Sequence, residues 1–226
     1  MAGITEERIA TQSHLYADVY LPEGVTRPPL VIALHGYGGE KSSMLRLARR
    51  IFGDELALAS LQGPHPHIVY PKDRGQPLGF GFGWVTNFKP EESIALHHGA
   101  LRELLSRLGS RAAIDPSRVF LLGFSQSVAV NFRFAFTHPD LVSGVVGICG
   151  GIPGDWSQSD RYRQAAFDVL LVGGARDEFY PPDRTRANAE KLRERAGSVE
   201  VLLLEAGHEI PAASFEPIRG WVRRRS

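Results

Sequence analysis

A serine, an acid and a histidine stand in that order, each just past the end of an apolar run. Ser125 lies in Gly123-Phe124-Ser125-Gln126-Ser127, directly after Val119-Phe120-Leu121-Leu122. Asp177 follows the run Asp168 to Val172 through Gly173-Gly174-Ala175-Arg176. His208 follows Val199 to Leu204 through Glu205-Ala206-Gly207. A serine hydroxyl attacks a carbonyl only when a base takes its proton, and the base works when a carboxylate orients it. A strand-turn-helix elbow of the type G-x-S-x-G lifts such a serine to the carboxyl edge of a sheet, and its flanking residues must be small. Ser127 stands where the last glycine belongs, with modest crowding as its expected cost. Taken alone, the pentapeptide also fits an ordinary serine in a turn, so its partners must decide.

Downstream of Ser125 the bases on offer are His138 and His208. His138 sits in Phe136-Thr137-His138-Pro139-Asp140, at an expected helix end, where a cation would suit the helix dipole. His208 lies in a loop after a late strand, where the base of an elbow serine belongs. For the acid, Asp168 is at the wrong end of its strand and Glu178 is the neighbouring rival; Asp177 is preferred. Acyl transfer also needs amides for the oxyanion. Gln126, next after the serine, offers one backbone N–H. The apolar run Leu30 to Leu34 leads into His35-Gly36-Tyr37-Gly38-Gly39, whose Tyr37 amide is the candidate second donor. His35 precedes the serine and is expected to order this loop.

Phe80, Phe82, Trp84 and Phe88 crowd the segment Gly75 to Pro90, which has no clear period and reads as a long loop. Phe80, Phe82 and Trp84 are candidate substrate-binding residues forming an apolar wall; a satellite cluster holding the loop down is the other reading. His65, His67, His97 and His98 lack the spacing of a metal-binding helix, His97 and His98 being adjacent. No metal and no cofactor is expected.

The elements that position these residues can be read from periodicity. Leu15 to Leu21 alternates, as an edge strand does. Leu30–Leu34, Leu56–Leu61, Arg118–Leu122, Val142–Cys149, Asp168–Val172 and Val199–Leu204 are continuous apolar runs suited to strands covered on both faces. Glu91 to Leu108 carries the helical stripe Ile94, His98, Leu101, Leu105, Leu108. Pro182 to Ala196 predicts a helix with Asp183 as N-cap and Gly197 just past its end. Val128, Val130, Phe132, Phe134 and Phe136 alternate like a strand, but a strand has just ended at Leu122, so a helix is expected. Strands alternating with helices give an α/β fold with a mostly parallel sheet.

The 226 residues carry a formal net charge of +1, which leaves no broad basic surface for nucleic acid. Residues 1–226 are expected to form a single α/β domain. The lone cysteine, Cys149, excludes an internal disulfide and reads as a buried core residue. No run approaches the ~18 apolar residues of a membrane span, so no stable membrane insertion is expected. The N-terminal stretch lacks a secretory apolar core, and a cytoplasmic location is the expectation.

Four stretches together resemble the phospholipase/carboxylesterase family of α/β hydrolases, which includes the acyl-protein thioesterases: Leu34 to Gly39, Ile114 to Ser127, Gly173 to Asp177 and Ala206 to Pro211. The resemblance spans about residues 14 to 222. It implies an α/β-hydrolase fold, with a mostly parallel central sheet flanked by helices and no large cap domain. It also implies Ser125, Asp177 and His208 as a catalytic triad, with the Tyr37 and Gln126 amides as oxyanion donors. The family usually has glycine where Ser127 stands, and a different aromatic pattern before its long helix. The implied activity is hydrolysis of a small-molecule ester or thioester. A non-catalytic binding module or a serine peptidase on the same fold are the alternatives. Nothing in the sequence fixes the oligomeric state.

Overall fold

The structure, a computed structural model, describes residues 3–69 and 79–226. Its strands are β1 (Ala17–Tyr20), β2 (Leu30–Leu34), β3 (Ala57–Leu61), β4 (His65–Val69), β5 (Gly79–Gly83), β6 (Val119–Phe124), β7 (Gly144–Ile148), β8 (Asp168–Gly174) and β9 (Ser198–Leu204). The helices are α1 (Lys41–Phe52), α2 (Pro90–Ser110), α3 (Gln126–Thr137), α4 (Pro182–Arg193) and α5 (Phe215–Arg223). Seven strands form one sheet in the order β1-β3-β2-β6-β7-β8-β9. All neighbours are parallel except the edge pair β1–β3.

Continuous apolar strands are required because both sheet faces are covered. In β2, Leu30, Ile32 and Leu34 pack on the side of α2, α3 and α4, with Leu101, Phe132 and Leu192. Val31 and Ala33 point to the opposite side and meet Met44, Ala48 and Ile51 of α1 and Ile218 and Trp221 of α5. β6 alternates in the same way, with Val119 and Leu121 on one side and Phe120 and Leu122 on the other. After β2 the chain builds toward one edge; from β6 it builds toward the other. The β2–β6 junction is thus the topological switch point, where open α/β sheets form their sites. Among the described residues no separate cap layer lies over the sheet.

Several expectations need correction. Gly79 to Gly83, assigned to a loop, is strand β5, paired antiparallel with β4 from His65↔Gly83 to Val69↔Gly79. Residues 75–78 of that expected loop lie outside the described residues. The buried stripe of α2 is Ile94, His97, Leu101, Leu104 and Leu108, so the helix is turned toward His97 and Leu104 rather than His98 and Leu105. Helix α4 begins at Pro182 with Pro181 at the cap position, leaving Asp183 in the first turn. The helix ends at Arg193, and Gly197 instead enters β9, its amide bonded to the Phe167 carbonyl. The segment after Ser125 is helical, as context required.

Candidate active site

Ser125 joins β6 to α3 with φ 55 and ψ −116, a left-handed-side backbone that a side-chain-bearing residue adopts only where its surroundings enforce it. Its amide is held by the Ile148 carbonyl at 2.9 Å, and its carbonyl accepts the Val128 amide at 3.1 Å. The close approach of strand and helix explains Gly123: a Cβ there would lie 2.9 Å from Asn131 Nδ2 and 3.1 Å from both Ser127 Oγ and the Val128 nitrogen. Gly36 answers to a second close approach, because a Cβ there would meet the Phe124 ring at 2.8 Å. The loop after β2 is thereby packed directly on the elbow.

The three residues expected to act together meet at this edge. Ser125 Oγ lies 2.9 Å from His208 Nε2, and His208 Nδ1 lies 3.0 Å from Asp177 Oδ2. The other Asp177 oxygen accepts the Phe179 and Tyr180 amides, each at 2.9 Å. Asp177 is 2% exposed. Burial alone would push its carboxyl up, but the Tyr180 amide, His208 and the Phe179 amide outweigh it and hold the group below the usual carboxylate range. The carboxylate is therefore charged and fixed, facing Nδ1. That arrangement selects the imidazole tautomer with the proton on Nδ1 and leaves Nε2 free to accept from the serine.

The rivals lie elsewhere. Asp168, at the far end of β8, pairs with Arg225 at 2.7 Å. Glu178 is exposed. His138 caps α3 and packs on Phe134 and His98. Burial, then Arg102 and Arg163, lower its pKa, which works against the helix-end cation that its position suggested. His35 orders its loop as expected: Nδ1–H donates to the Gly36 carbonyl at 2.7 Å, and Nε2 accepts from the Gly63 amide at 3.0 Å. Burial lowers its pKa, in keeping with this neutral role.

The candidate oxyanion amides belong to Tyr37, in the loop after β2, and Gln126, the first residue of α3. Neither donates a hydrogen bond to another backbone group among the described residues. Tyr37 is 66% exposed, and its ring stacks on His67 at 4.4 Å.

The expected aromatic wall divides. Phe80 is exposed and Phe82 half-buried on β5. Trp84 is 1% exposed and offers no surface to a substrate; its indole N–H donates to the His35 carbonyl at 2.7 Å, and its ring meets His97 edge-on. It props the loop from below, because an indole buried in a core must find an acceptor. The sequence reading missed Phe179 and Tyr180, whose rings lie 4.9 and 5.9 Å from the His208 ring. Their position directly after Asp177 was the available signal. Cys149 is buried as expected and lies behind the acid, with Cys149, Asp177 and His208 donor atoms within 4.8 Å of one another. Burial and the Asp177 charge push its thiol up to about 12, which leaves it protonated.

The family model for phospholipase/carboxylesterase matches residues 17–225. The chain belongs to the phospholipase/carboxylesterase family. It is 30% identical over 173 residues to the putative esterase NocK of Nocardia uniformis subsp. tsuyamanensis, covering 72% of this chain and 43% of that protein. Against acyl-protein thioesterase 1 of Yarrowia lipolytica (strain CLIB 122 / E 150) it is 26% identical over 151 residues, covering 61% of this chain and 63% of that one. This chain thus spans less than two thirds of either relative. The Bacillus cereus carboxylesterase structure is similar in fold, with a TM-score of 0.73 at 18% identity over 94% of this chain and 95% of that chain. Esterase PE8 gives 0.75 at 17% identity, covering 95% and 100%. Members of the family are hydrolytic enzymes, and no described helix is long and apolar enough to cross a membrane.

Proposed function

We propose that this chain is a serine hydrolase that cleaves small-molecule carboxylic esters or thioesters through an acyl-enzyme. The carrying observation is the relay of short contacts from Ser125 through His208 to Asp177, 2.9 and 3.0 Å long. In the first step His208 Nε2 takes the hydroxyl proton as Ser125 Oγ attacks the carbonyl carbon. The carbonyl electron pair moves to oxygen, and that oxyanion rests on the Tyr37 and Gln126 amides. His208, now protonated and held by Asp177, gives its proton to the leaving alcohol or thiol as the acyl–O or acyl–S bond breaks. Water then attacks the acyl-enzyme with the same base, which restores Ser125 and releases the acid. Each oxyanion donor contributes typically ~10²–10³ in rate.

Phe80 and Phe82 are proposed to contact substrate, joined by the exposed Tyr37 and by the exposed Phe179, whose ring lies against His208. Residues 1–226 act as one α/β-hydrolase domain in this reading, supported by the single seven-stranded sheet. Turnover of p-nitrophenyl acetate, an acyl thioester and a peptide p-nitroanilide tests the assignment. Ester or thioester hydrolysis with no peptide cleavage is the expected outcome. Cleavage of the anilide at a comparable rate would replace it with a peptidase.

A further inference from the structure

Both side chains that follow Ser125 are tied to backbone outside the elbow. Ser127 is 0% exposed. Its Oγ accepts from the Phe124 amide at 2.9 Å. The hydroxyl lies 2.9 Å from the Leu34 carbonyl, with the Phe124 carbonyl as a second acceptor at 3.0 Å. Leu34 is the last residue of β2 and the root of the loop that carries the Tyr37 amide. Gln126 reaches the other way. Its Oε1 accepts from the Trp84 amide at 2.8 Å, and its Nε2 donates to the Val85 carbonyl at 3.2 Å.

These ties close a circuit. The Trp84 indole holds the His35 carbonyl. Phe82 exchanges backbone bonds with the same loop: the Gly38 amide donates to the Phe82 carbonyl at 3.0 Å, and the Phe82 amide to the Gly39 carbonyl at 3.2 Å. The loop from His35 to Gly39 is therefore fastened at its root by Ser127. At its far side it is fastened through Phe82 and Trp84, which Gln126 ties back to the elbow. A primary amide is suited to this task because it offers one acceptor and two donors, as a peptide edge would. Glycine at position 127 would leave the half-buried Phe124 amide and the buried Leu34 carbonyl without this partner.

We propose that the side chains of Gln126 and Ser127 are positioning residues that hold the Tyr37 amide in register with the Gln126 amide, so that both face one oxyanion. The proposal rests on the serine-esterase reading. Neither side chain touches substrate; both act through the backbone. The physical requirement is strict, since oxyanion donors must lie within about 2.7–3.1 Å of the developing charge. A misplacement of ~1 Å costs up to ~10²-fold in rate. Ser127 is, on this view, a fastening in place of the family's glycine rather than a tolerated departure.

Ser127→Gly, Ser127→Ala and Gln126→Met variants of the 226-residue chain test it, with kcat and KM measured on p-nitrophenyl acetate and melting temperature alongside. Inhibition by an alkyl trifluoromethyl ketone, whose adduct with Ser125 is a tetrahedral oxyanion, supplies a readout that loosened packing alone would not move. Each variant is expected to lose roughly tenfold or more in kcat with KM within about threefold, a fraction of one full donor. Affinity for the ketone should fall by the same factor. Native-like kcat in folded variants, a loss confined to KM, or unchanged ketone affinity overturns the proposal. If the Ser127 variants melt below the assay temperature, Gln126→Met decides, since it keeps length and volume on a half-buried side chain. Ser125→Ala separates the two levels. Turnover that survives in it overturns the serine-esterase reading and the proposal together. Turnover that needs Ser125 but ignores Gln126 and Ser127 overturns the proposal alone.

Discussion

Replacing Asp177 with asparagine removes one charge and leaves the shape intact, and the structure says what must follow. The Phe179 and Tyr180 amides both donate to Oδ1 at 2.9 Å. In Asp177→Asn those two donors hold the amide oxygen at that position, so the NH₂ group takes the place of Oδ2. It then faces His208 Nδ1 across 3.0 Å, donor against donor. The imidazole escapes by moving its proton to Nε2, the atom that must accept from Ser125 at 2.9 Å. A base in that tautomer cannot begin the reaction. The same substitution in the serine-protease triad costs about 10⁴ in kcat, which corresponds to about 5.5 kcal/mol of barrier. Folding loses much less, about 1.5–3 kcal/mol for one hydrogen bond to a charged group, because both backbone donors keep their acceptor. Steady-state turnover of p-nitrophenyl acetate at pH 7.5, with circular dichroism and a thermal melt, reads both effects. A folded Asp177→Asn protein within tenfold of native kcat would mean that the Asp177 charge does not set the His208 tautomer.

Trp84→Phe keeps most of the ring but strands the His35 carbonyl, and should lower stability by about 1–3 kcal/mol with a fall in kcat; an unchanged melt and kcat would remove the prop. His97 is 1% exposed, and burial, then neighbouring His98, lower its pKa to about 3. The unfolded chain binds its proton near the ordinary value of about 6.5, so stability should be full above that and fall as pH drops toward 3. Urea melts from pH 7 to 4.5 should show this slope, and His97→Phe should reduce it, His98, whose pKa burial lowers to about 4, contributing the rest; a flat native profile contradicts the burial argument. Cys149, its thiol pushed up to about 12, should resist a disulfide reagent at pH 8 until denaturant is added; fast labelling of native protein would place it at the surface. Phe80→Ala should reduce kcat/KM for p-nitrophenyl octanoate more than for acetate, and equal losses would take Phe80 out of acyl contact.

The strands and the three residues at their ends were legible because both follow from short-range pattern. Runs such as Leu30–Leu34 must be apolar throughout when helices cover both faces, and the residue just past such a run necessarily lies at the sheet edge. The β4–β5 hairpin was not legible. Its second strand reads Gly-Phe-Gly-Phe-Gly and its first contains Pro66, residue types that sheets ordinarily avoid. Trp84 was misread for a related reason: an aromatic in a segment without period gives no sign of which side it faces. His138 stands where a cation would suit a helix end, but its partial burial, and then Arg102 and Arg163 near it, arise only in three dimensions. Ser127 shows the limit most plainly: its sequence position announced a missing glycine, whereas its bond to the Leu34 carbonyl, 93 residues earlier, exists only because β2 lies beside the elbow.

Covalent labelling is the sharpest probe of Ser125 as the nucleophile. Native protein and Ser125→Ala would be treated with a fluorophosphonate probe, with p-nitrophenyl acetate turnover followed in parallel. Stoichiometric labelling of the native protein is expected, with both labelling and turnover lost in a variant that folds normally. Absence of labelling in folded native protein, or turnover that persists without Ser125, would contradict that role.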